Sequence, residues 1–327
     1  MSTSTNQHDE PAHDDRGHDD EHDEHMHEHG PLAELVTVRD WLRYAVTRFN
    51  RAGIFCGHGV TNTYDEAVWL LLGSLALPLD RLEPFLDACI PGEERLALLE
   101  AIERRADDRV PTSYILGEAW LGDFRFTVDE RVIVPRSFFA ELLEDGLAGW
   151  IDDPDEVQHV LDMCTGSGCL AVLMAHAFPH AEVSAADLSE EALDVALQNV
   201  TDYGLEERIE LVHSDVFAAL ENRRFDLILS NPPYVTGTAM DALPPEYGHE
   251  PRMALAAGDD GLDVVRRLIA EGAAHLNPKG VLAVEIGHNR AIVEAAFPGL
   301  PFNWLATRGG DNMVFVLRRE DLPGAEA

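Results

Sequence analysis

A rigid polar turn follows one of the apolar segments of the chain. The turn is SNPPYV, residues 230–235, and it comes directly after the run FDLIL, which is typical of a buried strand. Proline has no backbone N–H for a sheet ladder and keeps the residue before it extended, so Pro232 and Pro233 end the strand at Asn231. A carboxamide, a proline carbonyl and the ring of Tyr234 are therefore held at the tip of a strand, where they could fix a ligand.

A glycine-containing turn, DMCTGSGCLA from Asp162 to Ala171, follows another predicted strand. Gly166 and Gly168 allow a tight turn and close approach of the backbone, and the N–H groups that open the next helix would face a ligand. A dinucleotide-binding loop has a similar pattern, but Ala171 stands where its third glycine would be. An acid before the turn, here Asp162, is more typical of sites for S-adenosylmethionine, whose amino group is cationic.

Acidic residues follow the next two predicted strands at matching positions. Asp187, roughly 20 residues after the glycine turn, could accept from both hydroxyls of a ribose. Asp215 could accept from the exocyclic amine of adenine, and Val216 could pack on the adenine ring. A single acid at a strand end often caps a helix. Together with the glycine turn, however, these residues predict S-adenosylmethionine as the cofactor.

Strands and helices alternate from about Phe138 onward, which would bring these turns together. Repeated strand–helix units predict an α/β fold with a parallel sheet, helices on both faces, and ligands beyond the carboxyl ends of the strands. The predicted strands are VQHVLDMC, EVSAADL, RIELVHSDV, FDLILS, VLAVEIG and GGDNMVFVLRR, and the predicted helices are LAVLMAHAF, SEEALDVALQNVTDYG and LDVVRRLIAEGAAHL.

The preceding region, from Leu35 to about Asp107, has the apolar spacing of helices. Thr63 and Glu66 have the spacing of a capping box and predict the start of one helix. An earlier helix is predicted to have an apolar face made of Val38, Trp41, Ala45, Val46 and Phe49. The aromatic side chains predicted to lie in the core are Trp41, Trp69 and Phe85.

Residues 109–136 change to an alternating pattern. The run FRFTVDERVIV alternates apolar and polar residues, and Gly117 and Gly122 precede it. This pattern predicts a β-hairpin that connects the helical region to the strands.

The composition is that of a globular chain with an unusual charge. Its 327 residues, 46% of them apolar, are enough for about two domains. No apolar run is long enough to predict a membrane span, and there is no apolar signal core, so we expect a cytoplasmic protein with no membrane partner. A net charge of -36 repels nucleic-acid phosphate and attracts basic partners. We therefore expect no sequence-specific binding of nucleic acid.

Residues that could bind metal are present but do not predict a metal site. Residues 1–30 contain ten acids and seven histidines, a composition that predicts a disordered tail, although such side chains can bind transition metals. The four cysteines have no zinc-ligand spacing and are predicted to be free, mostly buried thiols in a reducing compartment: Cys56, Cys89, Cys164 and Cys169.

Asn-Pro-Pro-Tyr in this setting resembles methyltransferases that use S-adenosylmethionine to modify planar NH2 groups, either glutamine amides or adenine and cytosine amines. Over residues 35–318 the chain is similar to the bacterial protein-glutamine methyltransferases, through GEAWLGDFRFTVDERVIVPRS, NPPYV, EPRMALAAGDDGLD and VLAVEIG. The resemblance implies a Rossmann-like class I methyltransferase domain after a small helical domain that recognises substrate. The expected divisions are a tail over 1–30, the helical domain over 31–108, a hairpin connector over 109–137, the methyltransferase domain over 138–320 and a C-terminal tail over 321–327.

The resemblance also implies roles for individual residues. Asn231 and Pro232 would each accept one N–H of the target amide, and Tyr234 would pack against it. These three are the predicted catalytic residues, and Pro233 joins them in binding substrate. Glu250 and Pro251 would shape the rim, and Glu285 would end a strand without a catalytic role. The predicted cofactor-binding residues are Asp162, Cys164, Thr165, Gly166, Ser167, Gly168, Asp187, Asp215, Val216 and Asn231.

Two branches of this family differ in their substrate. One methylates the glutamine of the GGQ motif in peptide release factors and usually has IPRPET after the hairpin, where this chain has VPRSFFAELL from Val134 to Leu143. RFNRAGIFCGHGVTNTYDEA and LPLDRLEPFLDA are similar to the other branch, which methylates large-subunit ribosomal protein uL3. We therefore predict methyl transfer to a glutamine amide of uL3, either free or in a precursor of the large subunit.

Four other functions are alternatives to methylation of uL3. A release-factor enzyme would differ only in substrate. An adenine-amine methyltransferase would bind nucleic acid with a steep dependence on salt. A module that binds S-adenosylmethionine or metal would lack catalysis. An NAD dehydrogenase would need a catalytic acid that the sequence does not offer.

Overall fold

The structure is a computed structural model that describes residues 30–325. The tail predicted over 1–30 therefore lies outside the described residues, apart from Gly30. The helical part of the chain, residues 30–116, consists of α1 (Pro31–Glu34), α2 (Val38–Ala52), α3 (Thr63–Ser74), α4 (Gly92–Ala106), α5 (Thr112–Leu116) and a 3-10 turn over Glu83–Phe85.

Local capping sets the starts of the two long central helices. At α2, Thr37 accepts from the backbone of Asp40 and the Asp40 carboxylate accepts from the backbone of Thr37 at 2.9 Å. At α3 the cap is Asn62, whose side-chain oxygen accepts from the backbone of Asp65 at 2.9 Å. The capping box predicted at Thr63 and Glu66 is wrong, because Asn62 is already a strong cap and Glu66 is buried elsewhere.

The apolar face predicted for α2 is largely confirmed. Val38, Trp41, Ala45 and Phe49 are buried against α3 and α4, whereas Val46 is half-buried. The prediction of buried core aromatics is right for Trp41, but Trp69 and Phe85 are only half-buried.

The predicted hairpin is formed by β1 (Glu118–Leu121) and β2 (Phe124–Thr127), which pair antiparallel around Gly122. Gly122 has φ +59°, which favours glycine. After β2, residues 128–138 form a loop with three buried valines, Val128, Val132 and Val134. We refer to residues 128–138 as the connecting segment.

The sheet part, residues 139–325, contains a seven-stranded sheet with the order β5-β4-β3-β6-β7-β9-β8. Its strands are β3 (His159–Met163), β4 (Glu182–Asp187), β5 (Ile209–His213), β6 (Phe225–Ser230), β7 (Leu276–Glu285), β8 (Asn303–Thr307) and β9 (Gly310–Arg318). Its helices are α6 (Phe139–Leu143), α7 (Cys169–Ala177), α8 (Glu190–Asp202), α9 (Gly237–Met240), α10 (Arg252–Leu255), α11 (Asp263–His275) and α12 (Arg290–Ala296), with 3-10 turns over Pro154–Glu156, Pro245–His249 and Arg319–Asp321.

The sheet is mixed, which corrects the prediction of a parallel sheet. Strands β3 to β7 are parallel, but β9 pairs antiparallel with both β7 and β8. The short link between β8 and β9 permits only antiparallel pairing of these two strands. Strand β8 was not predicted, because the five residues of this strand are exposed or half-buried and lack a clear apolar pattern.

Alternate side chains of the central strands enter the cores on the two faces of the sheet. On β6, Leu227 and Leu229 pack with α7 and α8, whereas Ile228 packs with α11. Strands β4 and β6 lie on opposite sides of β3, so the chain changes direction there. Such a point leaves a crevice at the carboxyl ends of the strands.

Buried ionic contacts join the helical part to the sheet part. Arg105, which is only 1% exposed, donates to Glu66 at 2.5 Å and to Glu246 at 3.3 Å. Arg105 also donates to the carbonyl of Phe55, and the backbone N–H of Phe55 donates to Glu246 at 2.8 Å. Because Glu246 follows the NPPY turn, this ionic cluster connects α3 and α4 to the segment that leaves the turn.

The structure also bears on the predictions about cysteines, membrane spans and metal ligands. All four cysteines are free, but only Cys169 is buried, so the expectation of mostly buried thiols is wrong: Cys89 is exposed and the other two are half-buried. Within residues 30–325, no helix has the length and apolar character to cross a membrane, and no cluster of three ligand-type side chains could hold a metal ion.

Candidate active site

A cavity of about 300 Å³ lies at the carboxyl ends of β3, β4, β5 and β6. The predicted site residues that line it are Cys164, Gly166, Asp187, Asp215, Val216, Asn231 and Pro233. The other predicted site residues do not line it: Asp162, Thr165, Ser167, Gly168, Pro232 and Tyr234. The structure thus brings the ends of four strands together, and it leaves these other predicted residues outside the lining of the cavity.

The turn after β3 has the left-handed backbone that its sequence suggests. Cys164, Gly166 and Gly168 have φ of +65°, +55° and +76°. At Gly168 an added Cβ would lie 3.1 Å from the Cβ of Ala196, so glycine also allows α7 to approach α8 closely. The backbone N–H of Thr165 donates to the carbonyl of Ala186 at 3.0 Å, which ties the turn to β4.

Asp162 is buried beneath this turn. One of its carboxylate oxygens accepts from the hydroxyl of Thr165 at 2.6 Å, and the other has no hydrogen-bond partner among the described residues. Burial raises the pKa of Asp162 to about 7. The contact with Thr165 indicates that Asp162 fixes the shape of the turn from behind.

Asp187 is the acid that organises the cavity wall. Its carboxylate accepts from the backbone N–H of Gly166 at 2.8 Å and from that of Ser189 at 2.9 Å. Burial raises the pKa of Asp187, although these hydrogen bonds oppose the shift. The side chain thereby connects the turn after β3 to the start of α8.

At the end of β5 the two predicted residues have different environments. Val216 is buried with φ +50°, and its carbonyl accepts from the hydroxyl of Ser214 at 2.6 Å. Asp215 is exposed and forms an ion pair with Arg267 on α11. Sequence reasoning treated Asp215 as a free acceptor and did not find this partner, which lies 52 residues away.

The NPPY turn presents two free oxygens. The side-chain nitrogen of Asn231 donates to the carbonyl of Arg136 at 3.3 Å, which fixes the orientation of the carboxamide. Its oxygen and the carbonyl of Pro232 accept no hydrogen bond from another described residue. Both atoms are therefore available to bind a donor.

Tyr234 is held in place by contacts of both its backbone carbonyl and its ring. Its carbonyl accepts from the side chain of Asn289 at 2.6 Å, and its ring packs so closely on Gly287 that a Cβ there would lie 2.9 Å from a ring carbon. Burial raises the pKa of Tyr234, and the nearby carboxylate of Glu285 adds to this effect. The phenol therefore stays neutral and serves as a packing group.

Two walls of the cavity were not predicted as cofactor-binding elements. Residues 131–133 of the connecting segment form one wall, and residues around α10, including Met253 and Ala256, form the other. The second wall is tied to the NPPY turn, because the backbone N–H of Val235 donates to the carbonyl of Leu255 at 2.8 Å. In the sequence, these two walls correspond to the strings VIVPR and EPRM, which were noted only as part of the family resemblance.

Two buried acids hold the connecting segment against the turn. Glu250 accepts from Arg136 at 2.5 and 2.6 Å and from the backbone of Val134 at 2.9 Å. Burial alone would raise the pKa of Glu250, but the neighbouring His58 and Arg136 lower it to about 2. Glu250 is thus an internal anchor, whereas the sequence analysis placed it at the substrate rim.

The second of these acids is Glu285, the last residue of β7. One of its oxygens accepts from the hydroxyl of Ser137 at 2.6 Å and from the backbone of Phe138 at 3.0 Å. Burial raises the pKa of Glu285 to about 7. Together the two acids fix Arg136 and Ser137, and so they place the carbonyl that orients Asn231.

Comparisons with known proteins find relatives that cover most of this chain. The family described as "Methyltransferase small domain" matches residues 147–244. The ribosomal protein uL3 glutamine methyltransferase of Neisseria gonorrhoeae is 57% identical over 293 residues, which are 90% of this chain and 98% of that one. The proteins of the same name from Burkholderia pseudomallei and Bordetella pertussis are 55% and 53% identical, and each match covers 88% of this chain and 96% or 97% of the relative.

Proposed function

Because the chain belongs to the family of ribosomal protein uL3 glutamine methyltransferases, which use S-adenosylmethionine, we propose that it methylates a glutamine amide of uL3. The similarity extends over the helical part as well as the sheet part. The observation that carries the proposal is the carboxamide of Asn231, a residue that lines the cavity: its nitrogen is fixed by Arg136 and its oxygen is free, as is the carbonyl of Pro232, the next residue.

The residues that line the cavity fit S-adenosylmethionine. At Gly166 an added Cβ would meet nothing within 4 Å, so the backbone turn is open on the side where a ligand can approach. Asp187 offers carboxylate oxygens to hydroxyl groups, and Val216 and Leu188 offer apolar surface to a ring. When bound there, the cofactor supplies an electrophilic methyl group on a sulfonium.

Asn231 and Pro232 would prepare the glutamine nitrogen for attack. The lone pair of an amide nitrogen is delocalised into its carbonyl, so the nitrogen is a poor nucleophile. If the oxygens of Asn231 and Pro232 each accept one N–H, the nitrogen is held in place and its pyramidal form is favoured. Two prolines and the contact with Arg136 fix these acceptors before substrate arrives, which lowers the cost of reaching the transition state.

The choice of uL3 over a release factor rests on the connecting segment and on the relatives. VPRS replaces the IPRPET of the release-factor branch, and its Arg136 and Ser137 are anchored by Glu250 and Glu285. An acidic enzyme with a net charge of -36 also suits a basic, RNA-binding ribosomal protein. The place of action in this proposal is the cytoplasm, where the large subunit is assembled.

A labelled methyl-transfer assay tests the proposal. Purified protein and labelled S-adenosylmethionine are incubated separately with unmethylated uL3 and unmethylated release factor, and the modified residue is mapped by mass spectrometry. We expect one additional methyl group on a single glutamine of uL3. Label on the GGQ glutamine of the release factor would retain the chemistry and refute the substrate.

A second experiment tests the carboxamide itself with the variant Asn231→Ala. We expect this variant to lose at least about 100-fold in kcat, the scale on which single positioned hydrogen-bonding groups act, while its Kd for S-adenosylmethionine stays close to wild type. Full activity of Asn231→Ala on uL3 would refute the role given to the carboxamide.

A further inference from the structure

A second cavity, of about 310 Å³, lies between the helical part and the connecting segment. It shares no lining residue with the cavity at the strand ends. Its walls come from α3 and the loop before it, from β1 of the hairpin, and from Val134 and Pro135. We call it the flank pocket. Its volume is at the lower end of the range for ligand sites.

The flank pocket is mainly apolar. The indole nitrogen of Trp69 is buried and has no hydrogen-bond partner among residues 30–325, and neither ring nitrogen of His58 has one. His58 is only 3% exposed, and its Nε2 lies 3.6 Å from the carboxylate of Glu250, an ionic contact that helps to lower the pKa of Glu250. These nitrogens lie beneath the surface of the pocket, so the surface that the pocket offers to a ligand is mainly apolar.

Large apolar side chains are exposed at the pocket. Trp120 on β1 is 43% exposed and Leu79 is 36% exposed, and both line it. Tryptophan and other large apolar groups at a concave surface are typical of protein contact sites. Asp65 on α3 adds a carboxylate to the lining of the pocket. The combination suits an apolar side chain carried by a basic polypeptide.

The connecting segment separates the flank pocket from the NPPY turn by a short distance. Val134 and Pro135 line the pocket, and the next residue, Arg136, accepts from Asn231. An extended chain spans about 3.3–3.6 Å per residue, so a side chain two to four residues from a bound glutamine could reach across this segment.

From this continuity we infer that the flank pocket binds an apolar side chain of uL3 that lies within about four residues of the methylated glutamine. The inference rests on the proposed function and extends it, because it assigns a sequence preference next to the target glutamine. The pocket would then select the substrate, whereas the NPPY turn acts on the amide.

Two variants change the pocket in opposite directions. Val60→Trp fills it, and Trp120→Ala removes an exposed wall at little cost to folding. Leu96→Ala is the matched control, since Leu96 is 58% exposed on α4 and does not line the pocket. The steady-state kcat and KM for unmethylated uL3 are measured for each, together with the Kd for S-adenosylmethionine by calorimetry.

We expect both pocket variants to raise the KM for uL3 by about 10- to 100-fold, which is the scale for one side chain in an apolar pocket. The control should match wild type, and the Kd for S-adenosylmethionine should be unchanged in all three. Alanine substitutions at apolar residues of uL3 near the glutamine should have little further effect in Trp120→Ala, since the same contact is already lost.

Wild-type KM in both pocket variants would overturn the inference and leave the proposed function intact. A raised KM without coupling to any apolar residue of uL3 near the glutamine would also overturn it, and would indicate a small molecule or a second copy as the occupant. Failure of the wild-type protein and of Leu96→Ala to methylate uL3 would instead refute the proposed function, and the inference with it.

Discussion

Replacing Glu285 by glutamine should remove a pH dependence of stability that arises at a single buried carboxyl group. Burial raises the pKa of Glu285 from 4.5 to about 7. The folded state therefore retains its proton at pH values where the unfolded chain has lost it. Stability conferred by the protonated form is fully present below pH 4.5 and is lost as the pH rises through about 7.

The size of the effect follows from the shift in pKa. One pKa unit corresponds to about 1.4 kcal/mol, so the wild type should lose about 3 kcal/mol between pH 4.5 and pH 8 through Glu285 alone. Glutamine cannot ionise, and its oxygen can still accept from Ser137 and Phe138. The variant should therefore gain about 3 kcal/mol relative to wild type over this pH range.

Urea unfolding of both proteins at a series of pH values measures this difference. Subtracting the two free energies of unfolding removes the contributions of Asp162 and Glu250, which both proteins share. A difference that stays constant within about 1 kcal/mol from pH 4.5 to pH 8 would show that the burial of Glu285 does not shift its titration.

Three further substitutions test the supports of the site. Gly287→Ala should lower kcat with little change in cofactor Kd, because φ is +51° there and the new Cβ would press on Tyr234; unchanged kcat would contradict this. Arg136→Ala should destabilise the protein by about 3–5 kcal/mol in urea unfolding, because it leaves Glu250 buried without its partner, and a loss under about 1 kcal/mol would count against the ion pair. Asp187→Ala should weaken binding of S-adenosylmethionine by at least about tenfold in calorimetry, since a charged acceptor is lost; wild-type affinity would exclude Asp187 from the cofactor site.

The strand-end residues could be predicted because their positions follow from a simple rule. Parallel strands end at one edge of a sheet, so Gly166, Asp187, Val216 and Asn231 had to converge once the alternation of strands and helices was recognised. The NPPY turn was equally local, since two prolines fix the backbone without help from distant residues.

The parts that were missed depend on contacts between distant residues. Asp215 pairs with Arg267, and Glu250 pairs with Arg136 across 114 positions, so neither environment could be derived from local spacing. The flank pocket is also formed by separate segments, and Trp69 was expected in the core for that reason. The short strand β8 is defined mainly by its pairing with β9.

The buried ionic cluster around Arg105 bears on how this enzyme can be divided experimentally. Expressed without the helical part, the sheet part would retain Glu246 but lose Arg105. The buried carboxylate of Glu246 would then lack the guanidinium with which it pairs. Expressed alone, the helical part would retain the pair of Arg105 and Glu66 but lose Glu246, the second carboxylate that Arg105 contacts. The two parts are therefore not interchangeable modules: a chimera that grafts another helical part onto this sheet must also supply a cation where Arg105 lies, or the segment that follows the NPPY turn will lose its anchor.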